Sequence, residues 1–119
     1  MLLEDIQKKL EEIDNNVFYG MADEEKITSD WNYTVFMRKN LSIGDQKQGY
    51  SDRYTVAVIR ENFIPEELVT QVIDKMLEIQ GMRIASPDCP YSYIKKPNTN
   101  VVVEILTMEF VKARKRVVA

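Results

Sequence analysis

The segment from Val101 to about Ala113 is the feature of this sequence that most limits its fold. It is the longest β-prone run in the chain, and apolar residues recur at both odd and even positions. One set is Val103 and Ile105, and the other is Val102, Leu106, Met108 and Phe110. Because neighbouring side chains of a strand point to opposite faces, both faces of this strand are apolar. We therefore expect a central strand, or one whose second face is partly buried between subunits.

Two further segments alternate apolar and polar residues and predict a long antiparallel hairpin. The first runs from Trp31 to Leu41, and its apolar face holds Trp31, Tyr33, Val35, Met37 and Leu41. The second places Tyr54, Val56 and Val58 on one face. Between them, Ser42 to Gly49 predicts a polar loop that is longer than a hairpin needs. Such a loop is either a binding element or a tolerated insertion.

Two amphipathic helices are predicted, one on either side of this hairpin. The apolar stripe of the first, which covers about residues 2 to 14, is Leu3, Ile6, Leu10 and Ile13. The second covers Pro65 to Gln80. Pro65 suits the first helical position, and two glutamates follow it near the positive end of the helix dipole. Phe63 is placed to pack against Leu68 across the first turn of this helix.

Short β-prone runs complete the pattern, and the whole chain predicts a single α+β domain over residues 1–119. These runs are Val17–Tyr19, Met82–Ala85 and Tyr91–Lys95. A domain of this length buries roughly two thirds of the surface that its unfolded chain exposes, which is enough for one core. We expect an antiparallel sheet of about four strands with both helices packed on one face, followed by a flexible basic end at about 112–119.

The residues that usually perform catalysis or hold metals are scarce in this sequence. There is no histidine, which is the commonest general base and the commonest metal ligand. Cys89 is the only cysteine, and it has no histidine to activate it. Adjacent glutamates such as Glu66 and Glu67 point in different directions on a helix and form no catalytic pair. We therefore predict a protein that is not an enzyme and that uses no metal ion or cofactor.

The cysteine content and the amino-terminal residues indicate a protein of a reducing compartment. A single cysteine excludes an internal disulfide. Met1 to Asp5 lack the basic region and the apolar run of a signal peptide. No stretch approaches the roughly 18 apolar residues that a membrane span needs. We therefore expect a soluble protein that contacts no membrane.

The net charge of −3 is unevenly distributed along the chain. Acidic residues concentrate early in the sequence, whereas Lys112, Arg114, Lys115 and Arg116 lie close to its end. A basic end of this kind is either a solvated tail or a contact for nucleic acid or an acidic protein face.

Aromatic residues on the predicted strands offer a second way to contact nucleic acid. They are Trp31, Tyr33, Tyr50, Tyr54, Tyr91 and Tyr93. Sheets that bind single strands stack bases on such rings. However, most of these residues share a face with Val35, Val56 and Val58, and few cations lie among them. We therefore expect most of them to belong to the core.

The order of the elements and of the apolar positions resembles that of a known family. An amino-terminal helix is followed by the run Val17-Phe18-Tyr19-Gly20 and by the hairpin from Trp31–Val35 to Tyr54–Val58. A helix over Pro65 to Gln80 and the closing strand Val103–Phe110 complete the series. The series covers nearly the whole chain. It resembles the small tail terminator, tail completion and head–tail joining proteins of long-tailed bacteriophages, which are often found in prophages of Gram-positive bacteria.

The resemblance implies a sheet with helices on one side and a function in virion assembly. Members of the family assemble into rings, commonly hexameric, that cap the tail tube and dock it to the head connector, and they have no catalytic residues. By this resemblance the protein acts with copies of itself and with tail-tube and connector proteins. It would do so in the host cytoplasm during assembly and then in the neck or tail of the virion, with DNA only passing through the ring as cargo.

Two segments are the expected contacts with neighbouring proteins, although none of their residues matches an individual functional residue of the family. The loop contributes Ser42, Asp45, Gln46, Lys47 and Gln48. The basic end contributes Lys112, Arg114, Lys115 and Arg116. The alternative to a phage assembly protein is a small nucleic-acid-binding or regulatory α+β domain, which the basic end and the aromatic residues support.

Overall fold

Two helices and six strands make up the described part of the chain, which in the computed structural model comprises residues 2–22, 31–44 and 49–114. The helices are α1 (Leu2–Glu11) and α2 (Glu66–Leu77). The strands are β1 (Val17–Tyr19), β2 (Tyr33–Ile43), β3 (Tyr50–Glu61), β4 (Met82–Ile84), β5 (Tyr91–Lys95) and β6 (Val102–Arg114). The helices, the hairpin β2–β3 and the closing strand β6 are all elements that the sequence predicts.

The strands form one mostly antiparallel sheet in the order β1-β2-β3-β6-β4, with β5 also paired to β6. Among the described strands, only β1 and β2 run parallel. The α+β class with both helices on one face is confirmed, whereas the prediction of about four strands is too low. The strands β1, β4 and β5 have only three to five residues. Their pairing depends on long neighbouring strands, and segments this short show little periodicity of their own.

The larger hydrophobic core lies between the two helices and one face of the sheet. The helices bury Ile6 and Leu10 of α1 and Leu68, Val72 and Met76 of α2. The strands contribute Phe36, Tyr54, Val56, Val58, Leu106, Met108 and Phe110. Steps of three and four residues align the buried positions of each helix on one stripe, so each helix is held to the sheet by a single apolar side.

A second, smaller core lies on the opposite face of the sheet. Val35, Ile59 and Val103 are buried there, and Val103 has no exposed surface. The partly buried residues around them are Phe18, Ala22, Trp31, Tyr33, Met37, Ala57 and Ile105. The first of the two predicted alternatives is confirmed, since β6 is a central strand between β3 and the pair β4 and β5. The second alternative, burial between subunits, is wrong for most of the strand. Among the large apolar side chains of β6 in the described part of the chain, only Val102 stays exposed, with 42% of its surface accessible.

A β-bulge in β2 changes the face on which the end of that strand lies. The register shifts between Arg38 and Asn40, so that Lys39 is an extra residue in the strand. After the bulge, Leu41 lies on the helix side of the sheet, whereas Met37 lies on the opposite side. The alternation expected from Trp31 to Leu41 is therefore wrong at its last member.

A buried ion pair fastens the end of the first helix to the sheet. Asp14 Oδ2 accepts hydrogen bonds from Arg60 Nη2 and Thr34 Oγ1, each at 2.7 Å. Its Oδ1 accepts one from the backbone N–H of Asn16 at 2.9 Å. Arg60 also donates to the backbone carbonyl of Tyr33 at 2.9 Å. Because the side chains of Arg60 and Asp14 are only 13% and 8% exposed, each charge depends on the other for compensation.

Removal of the Asp14 carboxylate is expected to destabilise the protein strongly. In Asp14→Ala, Arg60 stays buried without its partner and Thr34 loses its acceptor, so the free energy of unfolding should fall by about 3 kcal/mol. The control is Lys9→Ala, which removes an exposed ion pair with Glu78 and should have a far smaller effect. Urea unfolding followed by circular dichroism measures both variants. Equal losses in the two would contradict the role assigned to Asp14.

Candidate assembly surfaces

The strands of the hairpin β2–β3 are longer than the sequence predicts. The loop between them, which holds the predicted contacts, is correspondingly shorter. Ser42 and Ile43 belong to β2, and Ser42 pairs with Ser51 of β3. The backbone N–H of Gly44 donates to the carbonyl of Gly49 at 3.1 Å, just beyond the last strand pair. The prediction of a loop from Ser42 to Gly49 is thus wrong at Ser42 and Ile43. Six further predicted contact residues lie outside the described residues: Asp45, Gln46, Lys47, Gln48, Lys115 and Arg116.

Two of the four predicted basic contacts are strand residues. Lys112 and Arg114 lie in β6, where they pair with Asp52 and Tyr50 of β3. Arg114 Nε lies 3.0 Å from Asp52 Oδ2, and its guanidinium carbon lies 5.3 Å from the centre of the Tyr50 ring. At these two positions the structure therefore has an ordered strand in place of the flexible end expected from about residue 112.

The described contact residues from both segments meet at one end of the sheet. Ile43, Tyr50 and Arg114 form the last row of paired residues across β2, β3 and β6. We call the helix side of this end the tip face; it comprises Arg38, Leu41, Ile43, Tyr50, Asp52, Lys112 and Arg114. Ser42 lies at the same end on the opposite side of the sheet. The structure thus brings together two segments that are far apart in the sequence.

The tip face is both apolar and positively charged. Leu41 and Ile43 are 46% and 70% exposed, so a large part of each side chain stays uncovered. The three cations of the tip face outnumber its one acidic residue. Arg38 has no ion-pair partner within the described ranges. A groove of about 410 Å³ separates this face from Leu2 and Leu3 at the start of α1.

The opposite end of the same sheet face carries an exposed aromatic surface, which we call the base patch. It comprises Phe63, Glu66, Tyr91, Tyr93, Val102 and Glu104. Its three aromatic side chains are between 51% and 69% exposed, and they border a shallow cavity of about 430 Å³. The prediction that most strand tyrosines belong to the core is wrong for Tyr91 and Tyr93. Both lie in β5, a short strand in which every residue is exposed.

Hydrogen bonds hold an acidic residue of the base patch in place. Glu104 Oε1 accepts from the backbone N–H of Ile64, and its Oε2 accepts from the Tyr93 hydroxyl, both at 2.8 Å. The hydrogen bond to this carboxylate raises the pKa of Tyr93, because a phenolate could not donate it. Glu66, in the first turn of α2, has no ion-pair partner in the part of the chain that is described. The base patch is therefore acidic.

The expected packing of Phe63 against Leu68 is wrong. Phe63 is 69% exposed, whereas its neighbour Ile64 is 6% exposed and joins the core cluster that contains Leu68. The chain turns just before this point, at Asn62, whose φ is 72°. The sequence contains only a weak signal for this exposed aromatic surface. Phe63 lies before the predicted helix, and Tyr91 and Tyr93, two residues apart, lie on the same face of their strand.

Cys89 offers no activated nucleophile. It is a free, partly buried thiol. Burial, and then the carboxylates of Asp88 and Glu109, raise the pKa of Cys89, so the thiol is protonated at neutral pH. Within residues 2–22, 31–44 and 49–114, no three cysteine, aspartate or glutamate side chains are arranged to hold a metal ion.

The Cys89 thiol is expected to react slowly with alkylating reagents in the folded protein. Its raised pKa leaves less thiolate at neutral pH than an ordinary cysteine has, so iodoacetamide should modify native protein more slowly than urea-unfolded protein. The native rate should keep rising as the pH passes the ordinary thiol value of 9.0. Mass spectrometry measures both rates. A native rate equal to the unfolded one would contradict this expectation.

Comparison with known proteins assigns the chain to no family. Neither a protein-family model nor a curated protein sequence matches it. Within the described ranges, neither helix combines the length and the apolar character needed to cross a bilayer. A function must therefore be inferred from the tip face and the base patch.

Proposed function

We propose that this protein is a non-enzymatic structural component of a long-tailed phage that assembles with copies of itself, in a ring, at the head–tail junction or the tail end. The observation that carries the proposal is the location of exposed apolar side chains. Six of the eleven large apolar side chains that are exposed in the described ranges lie in the tip face and the base patch, whereas both sides of the sheet between these surfaces hold buried cores. Exposed apolar surface that is gathered in this way marks contacts with other proteins.

The tip face and the base patch consist of different residues at opposite ends of the sheet. Contact between two different surfaces favours a ring over a two-fold dimer. The strand β3 runs from the tip face towards the base patch, and its 12 residues span about 40 Å at the usual rise of a strand. A two-fold dimer uses the same surface on both copies. Contact between two different surfaces instead leaves one of each free on every pair, so further copies are added, and a ring forms where the rotation between copies closes.

The order of the elements supports the phage assignment. Helix, short strand, long hairpin, helix and closing strand occur in this order along the chain, with the short strands β4 and β5 before the last of them. This is the series on which the resemblance to tail terminator, tail completion and head–tail joining proteins is based. The partners in this proposal are further copies of the chain, tail-tube proteins and head-connector proteins. The protein would be found in the host cytoplasm during assembly and later in the neck or tail of the virion.

Purified protein is expected to form closed rings as its concentration rises. Sedimentation velocity should show a larger species replacing the monomer at tens of micromolar, and negative-stain electron microscopy should show rings with a central opening. Portal, capsid and tape-measure genes should lie near the coding sequence. A strict monomer at these concentrations, with no virion genes nearby, would contradict the proposal.

A small nucleic-acid-binding or regulatory domain is the second candidate function. The charge at the end of the sheet favours it, because Arg38 and Arg53 have no ion-pair partner in the described ranges. However, Arg38 pairs with Tyr54 and shares its face, whereas Arg53 precedes Tyr54 and points to the other face. Both arginines border the groove of about 410 Å³, but their side chains point to opposite faces of the sheet and so form no single basic surface, which makes assembly the better supported function.

The salt dependence of DNA binding separates the two candidates. A nucleic-acid-binding domain releases counterions from phosphates, so its affinity falls steeply as salt is added. For a protein that meets DNA only as cargo, we expect no saturable binding of labelled single- or double-stranded oligonucleotides at physiological salt, measured by fluorescence polarisation. Saturable binding that weakens in Arg53→Ser, with a smaller salt slope, would instead support the second candidate.

A further inference from the structure

We infer that the tip face of one copy docks on the base patch of a second copy, with Leu41 and Ile43 against the aromatic side chains of the patch. This contact deepens the proposed function, on which it rests, by naming the surfaces through which copies would assemble. Three properties of the described residues support it: opposite charge, complementary apolar surface, and strand edges that resist pairing.

The charges of the two surfaces are opposite. The tip face has three cations and one acidic residue, whereas the base patch has Glu66 and Glu104 and no cation. Arg38 and Glu66 are exposed and have no ion-pair partner within the described ranges, so each can pair with a charge on another molecule. Lys95 lies beside the patch on β5 and reduces its negative charge in part. Opposite potentials orient two copies as they meet and disfavour contact between like surfaces.

The apolar parts of the two surfaces are also complementary. The tip face presents the aliphatic side chains of Leu41 and Ile43, and the base patch presents the rings of Phe63, Tyr91 and Tyr93. Burial of such surface contributes about 25 cal/mol per Å², and aromatic residues are enriched at the centres of interfaces.

The outer edge of β2 is less suitable for contact between copies than the tip face and the base patch are. Beyond Phe36, β2 has no partner on its outer edge among the described strands. The bulge at Lys39 interrupts this edge, and the exposed Arg38 adds charge to it. Bulges and charged side chains are the means by which natural sheets avoid edge-to-edge pairing. At the tip, the contact is therefore assigned to the face of the sheet and not to the outer edge of β2.

A mixture of two variants that do not assemble alone tests this arrangement. The tip variant carries Leu41→Thr and Ile43→Thr, which keep strand-forming residues in β2. The patch variant carries Phe63→Ser and Tyr91→Thr. Each variant retains one intact surface, so each alone should associate at least about a hundredfold more weakly than the wild type. The mixture should form a dimer of one copy of each, in which the intact tip of the patch variant binds the intact patch of the tip variant.

Sedimentation velocity with a fluorophore on one variant measures this dimer, and circular dichroism checks that both variants keep the wild-type fold. Met21→Ser is the matched control, because Met21 is 82% exposed and lies outside both surfaces. This control should assemble like the wild type. If a variant fails to fold, the exposed substitutions Arg38→Glu and Glu66→Arg replace the two apolar pairs, and mixing should again restore association.

Three results would overturn the contact, and they differ in what they say about assembly. Dimers of one variant alone, with no gain on mixing, would show contact between like surfaces. A wild type that forms rings unaffected by either variant would show that other surfaces assemble the ring, and would leave the proposed function intact. A wild type that never associates would overturn the proposed function as well.

Discussion

The antiparallel pairing of β3 with β6 is the interaction on which the rest of this structure depends. Every residue of β3, from Tyr50 to Glu61, pairs with a residue of β6. These two strands form the centre of the sheet, with β2 on one side and with β4 and β5 on the other. The two strands are distant in sequence, and α2 lies in the segment between them. The entropy lost when this long segment closes must be offset by burial, and the sheet centre provides it on both faces.

Burial on both faces of this centre determines where exposed apolar surface remains. One face is covered by the helices, and Val103 is enclosed on the other. The helices have 10 and 12 residues and span about 15 and 18 Å, whereas β3 spans about 40 Å. Helices of this length cannot cover the whole strand, so the sheet extends beyond them. The tip face and the base patch are its uncovered ends, and the difference in length explains why apolar side chains are exposed there.

An irregular backbone position accompanies each of these surfaces. The bulge at Lys39 moves Leu41 and Ile43 to the helix side of the sheet, because one extra residue reverses the side on which every later residue lies. At the other end, the turn at Asn62 accompanies an exposed Phe63 and a buried Ile64. The charges accompany these side chains. Lys112 and Arg114 lie in the rows that contain Leu41 and Ile43, and Glu66 lies in the first turn of α2, which follows the turn at Asn62.

The amino-acid sequence by itself determined the periodic elements, because the spacing of side chains along a helix or strand is a local property. Both helices, the long hairpin and the two-sided character of the last strand follow from that spacing. Exposure and proximity are relations between segments, so only the tertiary structure decided them. Tyr91 and Tyr93 alternate as core residues would, and their position in a short outer strand exposes them. Leu41 changes face at a bulge that spacing does not reveal. Ser42 and Arg114 lie at the same end of the sheet, on opposite sides of it, because β3 pairs with both β2 and β6.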